Sequence, residues 1–393
     1  MPLAVAIIAL ALLYPKYVEP LQGAALIGDF VPALGSMVIM IVFTMMAVGL
    51  NIVVGYAGLL DLGYVAFYAA GAYTAAWFAS QQFDQWTFHF GSVGIAETVP
   101  GIHLSIWLVL IIAGLFTALA GILIGLPTLR LRGDYLAIVT LGFGEIIPQA
   151  VRNGDNIFGF DLTHGTFGIS PIDSPGFGSA AESLGLPANF QQSFERAQWF
   201  YWTALALLLV TVFCSRRLRD SRLGRAWIAI REDETAAAAM GVPLMRTKTW
   251  AYAIGAFFGG VAGAFYASFK SGAFPADFYF NISVFLLCMV ILGGMGSIWG
   301  VILGGMILGY LNVEGLATLG SELQGAGIDF DPTKYQFGFY GVIIVLMMLF
   351  RPEGLIPERR HKRELELGVA DTPLYDVTTE GSDTIREPND DER

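Results

Sequence analysis

The sequence predicts an all-α fold, a polytopic membrane bundle of about ten transmembrane helices. Three observations lead there. The 393 residues are 55% hydrophobic and 14% charged, against about 25% charged in a soluble domain. Mean hydropathy is +0.60, and apolar runs approaching the ~20 residues a membrane helix needs recur along the chain. Lys and Arg collect in three of the connections, the pattern that fixes membrane orientation.

The candidate spans are residues 2–14, 35–55, 59–80, 105–126, 134–151, 199–214, 250–268, 283–296, 298–312 and 336–350. The first lacks a basic n-region and an Ala-x-Ala site, so it reads as a short span rather than a cleavable signal. Several others are short enough to be re-entrant or broken, and 283–312 reads either as two spans or as one broken pair. Arg130 and Arg132 follow the fourth span. Arg216, Arg217, Arg219, Arg222 and Arg225 follow the sixth. Arg351, Arg359, Arg360, Lys362 and Arg363 follow the last. Even numbers of spans separate the three clusters, so all lie on one side, the cytoplasmic side, together with both termini. The opposite loops are 15–34, 81–104, 152–198, 269–282 and 313–335. The longest, 152–198, is either a floppy exterior loop or a landing surface for a soluble partner.

The membrane domain is thus 1–355, followed by a cytoplasmic tail, 356–393, that lacks hydrophobic periodicity and is expected to be disordered. Residues 364–393 hold ten acids and two arginines, a charge of −8 within the chain total of −11. The membrane body is therefore close to neutral.

The chemistry the chain lacks is informative. None of the five lysines follows a glycine, which excludes a Gly-x-x-x-x-Gly-Lys phosphate loop. If ATP drives the protein, another polypeptide binds it. No Gly-x-Ser-x-Gly elbow and no His-Glu-x-x-His occurs. Cys214 and Cys288, and the scattered His89, His103, His164 and His361, suggest neither a disulfide framework nor a metal site. No cofactor is expected.

Glycine is abundant, 47 residues. Gly255, Gly259 and Gly263 repeat every four residues, as do Gly296, Gly300 and Gly304, and Gly305 pairs with Gly309. Each stripe bares a helix face for close packing. Polar groups inside spans are costly. Asn51 ends the second span, Asp61 lies in Leu59-Leu60-Asp61-Leu62-Gly63-Tyr64, and Glu145 follows Thr140 in the fifth span. Asn51, Asp61, Gly63, Tyr64, Thr140 and Glu145 are candidates either for lining a pathway or for bracing a broken helix. For Asp61, near a turn, bracing is favoured. For Glu145 both readings stand.

The polar stretch at about 215–249 lies between two apolar spans. It is basic at its start, and Glu232, Asp233 and Glu234 stand where a helix N-terminus welcomes negative charge. Ala236 to Ala239 favour helix, Gly241 is a natural stop, and Pro243 forbids continuation. A helix of roughly ten residues is marginal alone in water, so it leans on something. By itself the stretch is either a solvated connector or a docking helix.

Residues 232–241 resemble the "EAA…G" loop of ABC-importer permeases. Three further stretches carry a resemblance to branched-chain amino acid ABC transporter permeases of the LivM type: 49–68, which contains Gly55-Tyr56-Ala57-Gly58-Leu59-Leu60-Asp61; 126–145, which contains Arg130-Leu131-Arg132-Gly133-Asp134-Tyr135; and 224–241 with Leu292-Gly293-Gly294-Met295-Gly296-Ser297. The resemblance covers most of 35–355. The acidic tail and the somewhat long 152–198 loop depart from it.

The resemblance implies an ABC-importer permease fold and a non-catalytic translocation subunit in a prokaryotic inner membrane. It implies as partners two cytoplasmic ATPase chains, a second related permease, and a periplasmic binding protein that delivers leucine, isoleucine or valine. Arg225, Glu232, Asp233, Glu234, Ala236, Ala237 and Gly241 would form the coupling segment that meets the ATPase. A urea or short-amide ABC permease is the alternative within the class. A stand-alone secondary transporter would show a chain of intramembrane acids and bases, and a membrane enzyme would show a reactive residue; neither is evident.

Overall fold

The computed structural model describes residues 2–22, 30–176 and 197–357, apart from 97, 132, 157, 158, 326 and 328. The acidic tail beyond residue 357 and the 177–196 part of the long loop lie outside the described residues.

A helix lies within every predicted apolar run, but the 59–80 run is helical only from Val65 to Phe78, with 59–64 irregular and 79–80 in a strand. In chain order they begin with α1 (Pro2–Gln22), α2 (Leu34–Asn51), α3 (Val65–Phe78), α4 (Ile106–Thr128) and α5 (Asp134–Arg152). After the long loop come α6 (Ala197–Arg219), two short helices α7 (Arg222–Glu232) and α8 (Glu234–Ala239), and the 27-residue α9 (Leu244–Lys270). The chain finishes with α10 (Phe280–Gly293), α11 (Ile298–Tyr310), α12 (Leu316–Gly325) and α13 (Gln336–Phe350). Seven of the described segments are long and apolar enough to cross a membrane. The expectation of about ten spans is met only to that extent. The 14 residues of α3 rise about 21 Å, short of the ~30 Å hydrocarbon core.

Packing centres on α9, whose bare face meets α2 and α3. A Cβ on Gly255 would come 2.4 Å from Val53 Cγ2, and one on Gly263 would come 2.0 Å from the Tyr68 carbonyl. The next position round, Gly260, would meet Thr117 of α4 at 2.0 Å. The four-residue glycine repeat therefore does what helix association in lipid requires: it lets backbones touch where burial of apolar surface offers little drive.

The 283–312 region is two antiparallel helices, α10 and α11, joined at 294–297. A Cβ at Gly300 would lie 2.1 Å from the Gly293 carbonyl. The same turn is clamped from elsewhere. Asn51 Oδ1 accepts the Gly296 N–H at 2.9 Å, and after α13 the Leu355 N–H returns to the Leu292 carbonyl at 2.9 Å.

One element departs from the all-α expectation. Within 79–104 a three-stranded sheet forms from β1 (Ala79–Ser80), β2 (Thr87–Phe90) and β3 (Gly101–Leu104), in the order β1-β3-β2. β1 runs antiparallel to β3 and β2 runs parallel to it. The sheet caps the ends of α3 and α4. The described part of the long loop is pinned against it, with Ser80 bridging Ile172 and the Asp173 N–H bonded to the Ala79 carbonyl at 2.9 Å. Within 159–176 the chain also bonds to 271–273, the Ile169 N–H to the Ala273 carbonyl at 3.1 Å and the Ile172 N–H to the Ser271 carbonyl at 3.3 Å.

Candidate functional site

The polar segment between α6 and α9 folds as two helices, not as one of roughly ten residues. Ser221 caps α7, its side chain accepting the Gly224 N–H. Gly224, Trp227 and Ile230 recur at helical spacing and are buried. Asp233 breaks the run in extended conformation and caps α8, its Oδ1 accepting the Thr235 and Ala236 N–H groups at 2.7 and 3.0 Å. Of the three acids predicted at one helix start, Glu232 therefore closes α7, Asp233 is the cap and Glu234 opens α8. The end of α8 is as the sequence suggests. Gly241 has φ +83°, its N–H bonds the Ala238 carbonyl, and the Val242 N–H bonds the Ala237 carbonyl. That pair of bonds closes the helix through a left-handed residue.

This platform leans on its own chain. Trp227 is fully buried and donates from Nε1 to the Thr247 carbonyl at 2.8 Å. Lys248 Nζ, itself buried, meets Glu234 Oε1 at 2.8 Å. Ala237 turns inward, whereas Glu232, Asp233, Thr235, Ala236, Ala238, Ala239 and Gly241 are exposed, and Met240 is 85% exposed. Arg225 is exposed as well and donates to the Asp220 carbonyl. Neither Lys248 nor Arg231 was marked by the sequence pattern; each acts on a residue distant or differently placed in the chain.

Directly against the platform lies a break in the bundle. α2 runs into a wide π-helical turn, Ile52–Tyr56, then leaves helical conformation until α3. Buried backbone without helix bonds needs partners, and two of the predicted residues, Asp61 and Thr140, supply them together with the unpredicted Ser283. Asp61, fully buried, accepts the Gly63 N–H at 2.8 Å. Thr140 of α5 accepts the Leu62 N–H at 3.0 Å, and Gly63 is so close to α5 that a Cβ would sit 2.3 Å from the Thr140 carbonyl. Tyr64 donates to the Gly255 carbonyl at 2.8 Å, and Ser283 of α10 accepts the Val65 N–H at 2.9 Å. Asn51, Asp61, Gly63, Tyr64 and Thr140 thus meet around one broken helix. Glu145 does not join them. It is exposed on α5, on a stripe with Tyr135, Ile138, Leu141 and Gln149.

Arg231 connects the two assemblies. Its guanidinium donates to the Gly55 carbonyl at 2.5 Å, and its stem lies over Gly58. A cavity of about 290 Å³ remains between them, lined by Gly58, Leu60, Leu136, Ile230, Arg231 and Lys248 among others. No group of three or more potential metal ligands exists among the described residues.

The described residues thus form a body with seven helices long and apolar enough to cross a membrane, and an exposed two-helix platform set against its broken helix. The family model described as the permease component of the branched-chain amino acid transport system matches residues 33–348. The high-affinity branched-chain amino acid transport system permease protein LivM of Escherichia coli is 38% identical over 340 residues, 84% of this chain and 71% of that protein. A probable LivM of Methanocaldococcus jannaschii is 29% identical over 259 residues, 64% of this chain and 69% of its own length. The permease protein LivH of Escherichia coli is 29% identical over 205 residues, 52% of this chain and 61% of that protein. No solved structure matches. The chain belongs to the family of branched-chain amino acid transport permeases.

Proposed function

We propose that the chain is a non-catalytic translocation subunit of an ATP-driven importer for branched-chain amino acids, set in a prokaryotic inner membrane with both termini cytoplasmic. The observation that carries the reading is the α7–α8 platform. It exposes a short capped helix with Met240 at its end, and Glu234 and Arg231 tie it to α9 and to the broken helix. Arg225, Glu232, Asp233, Glu234, Ala236, Ala237 and Gly241 form the segment that meets a cytoplasmic ATPase. A push on α8 reaches two membrane elements through specific polar bonds, and the cavity beside Arg231 leaves space for displacement.

Asn51, Asp61, Gly63, Tyr64 and Thr140 brace the moving break. Glu145 lines the pathway, because a carboxylate some 16 Å along a span is poorly placed against lipid. A second, related permease faces that stripe. The similarity to LivH as well as LivM supports a pathway built by two related chains. A soluble binding protein delivers substrate on the opposite side.

The test is gentle purification of the tagged chain from its native membranes, with mass spectrometry of what accompanies it. Two ATPase chains and a second permease support the reading. A chain that comes down alone, under detergents that preserve other complexes, contradicts it. Competition between labelled leucine and urea for uptake then decides the substrate class.

A further inference from the structure

The small sheet carries an exposed aromatic row that transport does not explain. Trp86, Phe88 and Phe90 alternate along β2 and its approach, so they share one face of the edge strand. They are 70%, 55% and 60% exposed. The opposite face is occupied: His89 stacks on His103 with ring centroids 4.9 Å apart, and His103 bonds Asp173 at 2.9 Å.

Register shows which way the aromatic face points. Phe88 pairs with Ile102 and Phe90 with Leu104. On β3 those two side chains pack against the helical core. The same apolar face thus looks toward the membrane body, and at the edge strand it runs out beyond the helices that cover it. Phe90 also marks the depth. Its carbonyl accepts the N–H of Ser105, the residue before α4. The 23 residues of α4 span about 34 Å against a hydrocarbon core of ~30 Å, so its start lies at the boundary between hydrocarbon and headgroups. From there α4 presents an outward apolar row, Leu108, Ile111, Leu115 and Leu119. Residues 79–129 contain no Lys or Arg, so nothing here draws the strand to lipid by charge.

We propose that Trp86, Phe88 and Phe90 form an interfacial anchor that seats the edge of the sheet in the headgroup layer, on the side of the membrane opposite the α7–α8 platform. Amphipathic rings favour that layer, and the strand edge finds water there for its unpaired backbone groups. The anchor holds the sheet, and through it the ends of α3 and α4, at a fixed depth.

The test uses the complete chain in phosphatidylcholine vesicles. The difference in emission between the native protein and Trp86→Phe isolates one of the eight tryptophans. Lipids brominated near the headgroup should quench that difference about twofold or more, with little effect of aqueous iodide, and added anionic lipid should change nothing. Strong iodide quenching without bromolipid quenching overturns the anchor, as does protection of Trp86 by a soluble binding protein. A nitroxide on Phe88→Cys, with Cys214 and Cys288 replaced by Ala, gives an independent reading. Collision with oxygen exceeding that with a water-soluble nickel complex supports the anchor, and the reverse overturns it.

Discussion

The Arg231 guanidinium donates to the carbonyl of Gly55, 176 positions away in the sequence, at 2.5 Å. Gly55 lies in the last turn before α2 breaks, where carbonyls lose their helical partners. One side chain on the exposed platform therefore satisfies the backbone of a membrane helix at its weakest point. Removing it leaves a partly buried acceptor unpaired, a cost of about 1–3 kcal/mol. Arg231→Ala should lower the unfolding midpoint and reduce uptake more than it reduces ATP hydrolysis. Arg231→Lys should recover part of both, since an ammonium lacks the guanidinium fork. Thermal unfolding and uptake assays on purified complex check this.

Asp61 separates structure from charge. Its work in the break is to accept the Gly63 N–H and the Tyr252 hydroxyl, which a neutral amide oxygen also does. Asp61→Asn should keep folding and uptake near native levels. Asp61→Ala should cost about 1–3 kcal/mol by orphaning the Gly63 N–H and should lower the yield of folded protein. An Asn variant that folds normally but does not transport would assign Asp61 to the pathway instead.

Glu145 is the inverse case. A charged side chain facing lipid at a span centre costs about 2.5–3.5 kcal/mol on insertion scales, so Glu145→Leu would stabilise a lipid-facing site. Facing a pathway shared with a second permease, the same change should bring no gain in unfolding midpoint and should depress uptake. Midpoint and uptake measured together decide between the two.

Asp173 gives the sheet region a pH dependence. Burial pushes its carboxyl up to about 6, opposed by the hydrogen bond and charge of His103 and by the charge of His89. A folded value above the ordinary 3.8 means the folded state keeps a proton that the unfolded chain releases. The stability is fully present below about 4 and is lost as pH rises through about 6, on the order of 3 kcal/mol at most. Amide exchange in β3, corrected for intrinsic rate, should be slower at pH ~5 than at pH ~7. Asp173→Asn should flatten that difference; a difference that persists in the variant would place its origin elsewhere.

The parts of this protein legible in sequence are those set by local rules. Apolar runs gave the helices, four-residue glycine spacing gave the packing faces, and Gly241 with Pro243 gave the end of α8. Asp61 and Asn51 were visible because a polar group inside an apolar run is conspicuous. The break at Asp233 was less visible, because a capping Asp between Glu232 and Glu234 looks like one more acid at a helix start. Arg231 and Lys248 were illegible for another reason: their partners meet them only after folding, and a basic residue beside a basic loop reads as a topology signal. The sheet was hidden because Trp86, Phe88 and Phe90 alternate over too short a run to stand out in a loop.

The central claim is that 232–241 transmits ATP hydrolysis to the membrane helices. Gly241 is suited to test it, since a Cβ there meets nothing within 4 Å and only the positive φ is violated. The cost is about 1 kcal/mol, too small to unfold the bundle. The measurement is leucine imported per ATP hydrolysed in proteoliposomes holding the purified complex, native against Gly241→Asp. The account predicts an intact complex with hydrolysis retained and import per ATP reduced at least about tenfold, a coupling loss of ~1.4 kcal/mol or more. An unchanged ratio in a variant that assembles normally would contradict it.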